Sequence, residues 1–356
     1  MNIIQKILHK PFFIKLFHWE YWSFHTIYTP IYLYWIWLCI KARSFFFFNA
    51  ANPTIRNGGF LMESKKEIFD LIPKEFYPRT ILIKAPAALE NIQPAVNLAG
   101  LAFPMIGKPD IGMRGLSVKK LENIGDIMDY ALKSKVDFLL QDFIPYENEA
   151  GIFYYRLPHE NGGHISGIVG KEFLTVIGDG SSTVEQLLYK DKRFILQIKV
   201  LLKFYGPTLQ KILKNGEKFL LVPYGNHARG AKFIDLTYLV DEQLTASIDN
   251  ICKQVNGFYF GRMDIKYNTW DELKQGKNFS IVELNGAGSE PTHMYDPKHS
   301  IFFAWREIIR HWILLYKISS INHYSKHIPY MKTSHGLQML SANKAYVKNI
   351  SGAAGI

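Results

Sequence analysis

Between residues 63 and 300 the apolar positions change period repeatedly. Residues 119–134 (KKLENIGDIMDYALKS) place apolar side chains at helical spacing and predict an amphipathic helix. Asp137–Phe143 reads as a buried strand, and Gly151–Leu157 as a second extended run. The PHENGG segment, 158–163, is a turn, and its neighbours His159 and His164 read as hairpin polar residues rather than metal ligands. Lys171–Ile177 predicts a strand, Gly178-Asp179-Gly180 a tight turn, and Thr183–Leu188 the opening of a helix. Leu220–Pro223, Phe258–Lys266 and Phe279–Leu284 complete the strands. Helices mixed with antiparallel hairpins predict an α+β fold rather than a doubly wound parallel sheet. No fixed-period repeat is visible.

The two ends follow another pattern. Ile27–Ile40 is almost wholly apolar, but Thr29 and Pro30 interrupt it, and Lys41 and Arg43 close it before Phe45–Phe48. It is shorter than the ~20 residues of a membrane span. No signal peptide is evident. An interfacial membrane segment, a buried hydrophobic helix and a transmembrane helix are the three readings of this run. Phe302–Lys317 predicts a helix with Arg306, Arg310 and Lys317 grouped, and Phe302, Trp305, Ile309, Trp312 and Tyr316 on another side. It is either docked on the core with a solvated basic face or laid on a membrane. The tail after Gly336 is polar and expected to be loosely ordered. The chain thus divides by pattern into 1–62, 63–300 and 301–356.

Charge sharpens this division. Residues 1–62 hold six Lys/Arg and one acid, Glu20; residues 301–356 hold seven and one, Glu307; the block between holds 29 of each. The net +11 therefore belongs to the ends, which disfavours a uniformly basic nucleic-acid binder. It suits contact with the anionic inner face of a membrane, from the cytoplasmic side. Of the 356 residues 48% are hydrophobic, enough for a real core. Cys39 and Cys252 lie far apart, which excludes a disulfide scaffold or a cysteine zinc finger and fits a reducing compartment.

The sequence has no GxxxxGK[ST], no GxGxxG after a strand and no kinase signature set. It does have an apolar strand ending in Lys108-Pro109, then a glycine loop, Asp110-Ile111-Gly112-Met113-Arg114-Gly115. An ammonium and backbone N–H groups so placed can surround phosphates, although such a strand end is common. Near the end of the block, Arg262 and Asp264 share one face of a strand, as do Glu283 and Asn285. If these strands are neighbours, Asp264, Glu283 and Asn285 converge as oxygen ligands for magnesium bridging ATP phosphates. The alternative is a chance match of two polar strand faces.

Together these residues resemble the ATP-grasp superfamily, from about Lys65 to Pro297, with patterns like those of D-alanine–D-alanine ligase, cyanophycin synthetase and glutathione synthetase. FLTVIGDGSSTVEQLL is the most specific stretch and resembles the VxGDGxxTxxxLI segment of cyanophycin synthetase. The resemblance implies an ATP-grasp fold, two α+β subdomains gripping ATP. Here it would carry a shortened aromatic N-terminal segment and a C-terminal helical extension. It implies Lys65, Lys108 and Lys171 as phosphate contacts, with Gly112 and Gly115 in a mobile glycine lid. Gln141, Asp142, Phe143 and Ile144 would form the adenine hinge, and Glu149 would accept the ribose hydroxyls. Asp264, Glu283 and Asn285 would hold two Mg2+ ions, and Arg262 would steady an acylphosphate. His227 and Arg229, in GNHARG, would contact the substrate. Only about 60 residues precede Lys65, where family members carry a Rossmann-like domain, and Gln141 stands where an acid is common.

The expected activity is ATP-dependent ligation of a small-molecule carboxylate to an amine through an acylphosphate, with ATP and Mg2+ as cofactors. A non-catalytic ATP-binding module and a membrane-associated scaffold are the rival classes.

Overall fold

The computed structural model describes residues 10–112, 117–223 and 225–353, with side chains to residue 350. The described strands are β1 Thr80–Ile83, β2 Met105–Pro109, β3 Lys119–Leu121, β4 Phe138–Asp142, β5 Asn148–Tyr155, β6 His164–Glu172, β7 Leu174–Ile177, β8 Lys218–Val222, β9 Lys232–Asp235, β10 Phe260–Tyr267 and β11 Phe279–Asn285. Strands and helices are mixed and the pairing is antiparallel, so the α+β reading holds.

The chain forms two compact units. One comprises Tyr32–Ile168, Leu236–Pro291 and Glu307–Ile356; the other comprises Met1–Ile31, Val169–Asp235 and Thr292–Arg306. Division into 1–62, 63–300 and 301–356 follows composition; the packing draws each unit from three separated stretches.

In the larger unit a four-stranded sheet runs β1-β4-β2-β3. The helices Leu89–Ala99 and Ile124–Lys133 cover it, burying Ile92, Val96, Ile127 and Tyr130 against Met105, Leu121, Phe138 and Leu140. The second sheet of this unit runs β11-β10-β5, with the first part of β6 next. Ile152, Met263, Ile265 and Ile281 form its inner face, and the helix Glu242–Gln254 adds Leu244, Ile248, Ile251 and Cys252 at helical spacing. On the other face, Phe153 and Phe260 meet Leu38, Phe47, Leu315, Ile318 and Met339 from near the two ends of the chain.

In the smaller unit β6 pairs with β9 over Val169–Glu172, and β7 pairs with β8. Its core holds Ile14, Leu174, Val176, Leu188, Leu209 and Leu221. Glu20 reaches Arg193 at 2.8 Å, and both are buried. Arg193 also donates to the Ala231 carbonyl and lies over the Tyr21 ring.

Several elements depart from the pattern-based expectation. The helix of residues 119–134 starts only at Ile124, because Asn123 caps it and Lys119–Leu121 pair with β2. The strand expected over Lys171–Ile177 is split at Phe173 between two sheets. The tail after Gly336 is ordered within the helix Thr333–Ala353, whose stripe of Gly336, Met339, Asn343, Tyr346 and Ile350 turns inward at spacings of three and four. Mixed chemistry along that stripe hid its period. The helix expected at Phe302–Lys317 extends over Ile301–Lys326.

Pro30 breaks the Ile27–Ile40 run into the helices Phe24–Tyr28 and Tyr32–Ala42. No described helix is long and apolar enough to cross a membrane. Most of the indoles expected at a headgroup layer are used inside the protein. Trp19 donates to the His299 carbonyl and Trp305 to the Ile27 carbonyl. Trp35 and Trp312 pack on each other at 5.2 Å.

Candidate functional site

The chemistry gathers in the larger unit, where β10 and β11 are antiparallel neighbours. Their register sets Arg262 opposite Asn285 and Asp264 opposite Glu283, so all four share one face. Gly151 of β5 lies opposite Asp264 and leaves that side of the face clear. A register shift after Asp264 sets the remainder of β11 one residue out of step.

Arg262 Nε donates to Asp264 Oδ1 at 2.8 Å, and its Nη1 donates to the Glu290 carbonyl at 3.2 Å. Burial opposes the guanidinium charge, but Asp264 and then Glu283 outweigh it and raise the pKa. The Asn285 Nδ2 is buried and has no hydrogen-bond partner among the described residues. Turning that amide presents Oδ1 to the same space. Asp264, Glu283 and Asn285 therefore fit magnesium, which takes one or two carboxylates and completes its shell from phosphate and water. Among the described residues no three His, Cys, Asp or Glu side chains gather as a metal site.

Two lysines border this face. Ser64 caps the helix Lys65–Phe69, and Asp110 accepts from the backbone N–H groups of both Lys65 and Lys66. Lys65 Nζ lies 3.7 Å from Glu283 Oε1 and donates to the Gly112 carbonyl at 2.7 Å. The neighbouring Lys66 pairs instead with Asp70. Lys108, on β2, donates to Gln141 Oε1 at 2.8 Å and to the Val282 carbonyl at 3.0 Å. Its ammonium lies 5.0 Å from the Phe69 ring centroid. Burial pulls its pKa down to about 7, and Glu283 pulls the other way.

Gln141 is buried, and its amide bridges Lys108 and the Thr80 hydroxyl. Its side chain therefore positions a lysine. Asp142 is tied to Arg79 at 2.6 Å, the Phe143 ring lies under Lys120, and Ile144 follows the end of β4 half-buried. Glu149 lies on β5 opposite Lys266. Gly112 has φ +150, a conformation that favours glycine, and Gly115 lies outside the described residues.

Lys171, His227 and Arg229 belong to the smaller unit. Lys171 pairs with Phe233 in the sheet. His227 stacks on Tyr21 and packs near Phe233 and Tyr295, with Nε2 3.7 Å from Glu20. Its side chain is thus held among aromatic rings and remains partly exposed. Arg229 ends the turn His227–Arg229, half-buried.

Pattern reading missed Glu63. One of its carboxyl oxygens is buried with no partner among the described residues. Burial raises its pKa, Glu283 adds to the rise, and Lys65 opposes it. Its only sequence signal is the two-residue spacing from Lys65. Asn52 was also missed. It is fully buried, accepts from the Tyr259 and Phe260 N–H groups and donates to the Phe260 and Gly58 carbonyls. It ties Gly58 to the start of β10, and after β11 the Ala287 and Gly288 N–H groups donate to the Gly58 and Gly59 carbonyls. A Cβ on Gly59 would stand 2.7 Å from the Gly286 Cα, so the approach requires glycine.

No family model matches the chain. It is 29% identical over 140 residues to the glutathione biosynthesis bifunctional protein GshAB of Clostridium perfringens, covering 35% of this chain and 18% of that protein. It is 26% identical over 215 residues to GshAB of Streptococcus mutans, covering 54% and 28%. The chain thus spans less than a third of either relative. Among solved structures it is similar to a bifunctional glutathione synthetase from Pasteurella multocida (TM-score 0.38, 16% identity, 68% of this chain and 34% of that one). It is also similar to the VanG D-Ala:D-Ser ligase of Enterococcus faecalis (0.40, 14%, 71% and 61%) and the D-alanine–D-alanine ligase of Bacillus anthracis (0.43, 12%, 74% and 69%). The ATP-grasp resemblance drawn from the motifs is borne out by the relatives these comparisons return.

Proposed function

We propose that the chain is an ATP-dependent ligase that joins a carboxylate to an amine. The observation that supports this most is the cross-strand face of Arg262, Asp264, Glu283 and Asn285 with Lys65 and Lys108 at its border. A structural face would not need two carboxylates, an amide and three cations together.

In this reading Lys65 and Lys108 hold the phosphates of ATP. The backbone and side chains from Asp142 to Ile144 receive the base, and Glu149 the ribose. Gln141 keeps the Lys108 ammonium aimed. Magnesium, which Asp264, Glu283 and Asn285 would hold, supplies charge neutralisation at the phosphates. A substrate carboxylate oxygen attacks the γ-phosphorus and ADP departs. The amine then attacks the acyl carbon, loses a proton and expels phosphate. Arg262 steadies the acylphosphate oxygens, because a guanidinium fixed by Asp264 suits a charged tetrahedral centre. Positioning and charge stabilisation carry most of the rate.

The test is ADP release across panels of carboxylates and amines, with Glu283→Gln as the control. The active pair should form ADP and one amide product together, and Glu283→Gln should lower turnover by about 100-fold or more while leaving the circular dichroism unchanged. Undiminished turnover in that variant, or ADP formed without ligated product in every pair, would overturn the reading.

A further inference from the structure

The helix Tyr32–Ala42 has two apolar sides, and the fold buries only one. Leu38, Cys39 and Ala42 enter the core of the larger unit with Trp35 packed against it. Leu33, Ile36, Trp37 and Ile40 lie on the other side and are 77%, 46%, 45% and 69% exposed. At 3.6 residues per turn these four positions fall within an arc of about 100°. Phe45, just after the helix, is also exposed. Scattered exposed apolar residues are ordinary, but a continuous stripe marks a contact surface.

The charge around the stripe identifies the partner. Lys41 and Arg43 are exposed at its C-terminal end. The Lys41 ammonium lies 4.6 Å from the Trp37 ring centroid and 5.2 Å from that of Tyr316, and Lys317 beside Tyr316 is exposed. No acid occurs between Glu20 and Glu63. Glu307, the one acid of residues 301–356, is buried and paired with Arg310. The cations are thus uncompensated. Pairing two copies through this face by a twofold axis would bring like charges together. An eleven-residue helix is too short to span a bilayer but suits the interfacial plane.

We propose that the outward face of the helix Tyr32–Ala42 is a docking surface for an anionic lipid bilayer. Leu33, Ile36, Trp37 and Ile40 enter the boundary between headgroups and acyl chains. Lys41 and Arg43 extend back to the headgroup phosphates. Neither nucleotide binding nor ligation is required for this docking.

The experiment is co-sedimentation of the full chain with phosphatidylglycerol/phosphatidylcholine vesicles, against pure phosphatidylcholine, at low and high ionic strength. Binding should require phosphatidylglycerol and weaken as salt rises. Lys41→Gln/Arg43→Gln should weaken partitioning by about thirtyfold, and Ile36→Asp/Ile40→Asp by at least as much, with unfolding midpoints unchanged. Brominated acyl chains should quench fluorescence that Trp37→Phe removes, an arm that stands if the Asp variant fails to fold. The proposal is overturned by any of three results: no binding to anionic vesicles at low salt, wild-type binding by the Gln variant, or no Trp37 quenching. Self-association broken by Ile36→Asp/Ile40→Asp, without vesicle binding, would assign the face to a second copy instead.

Discussion

Lys108 is where charge and burial meet the phosphate binding proposed above. Its pKa of about 7 lies well below the ordinary lysine value near 10.5, and burial is the main cause. Between those values the folded protein has released a proton that the unfolded chain still holds. The unfolded state therefore binds more protons in that window, and stability rises with pH across it, by up to about 1.4 kcal/mol per unit. Denaturant titrations from pH 7 to 10 should show the rise, and Lys108→Met should flatten it. Phosphate binding needs the ammonium, so the sign for nucleotide is opposite. Affinity for ATP should fall from pH 7 to 9 by as much as about tenfold per unit. Calorimetry in buffers of different ionisation enthalpy should find proton uptake on binding near pH 8.

At the scale of elements, the start of β10 depends on one side chain far away in sequence. Asn52 makes four buried hydrogen bonds that join Gly58 to Tyr259 and Phe260. Asn52→Ala leaves several of those groups unpaired and should cost about 3–4 kcal/mol, read as a lowered denaturant midpoint. Pattern reading found β4, β5, β10 and β11 because each alternates or runs apolar between clear turns. The facing pairs Arg262/Asp264 and Glu283/Asn285 were legible for the same reason, since the period of two fixes the face. Neighbourhood of β10 and β11 was a condition that only the fold could supply. Asn52 and Glu63 stayed hidden because their meaning lies in buried hydrogen bonds and in long-range charge. Gln141 looked like a hinge residue, but its amide is used by Lys108.

On the scale of the whole molecule, the chain's ends are structural parts. In the smaller unit Glu20 is buried against Arg193, and its pKa is lowered because His227 and Arg193 outweigh desolvation. Arg193→Ala would strand that carboxylate and should destabilise the protein by about 3–5 kcal/mol. Chemical denaturation should show it, with a larger loss than Glu20→Gln. In the larger unit Leu38, Phe47 and Phe48 share a core with Leu315, Ile318 and Met339. That sharing bears on how the protein is made. Leu315, Ile318 and Met339 are synthesised some 270 residues after the aromatic segment, roughly 15–50 s at ordinary elongation rates. Phe153 and Phe260 can cover part of that segment's inner side during the interval, but the part that Leu315, Ile318 and Met339 bury stays open. The packing of these separated segments is therefore completed only when the helix Ile301–Lys326 and the one after it have been made.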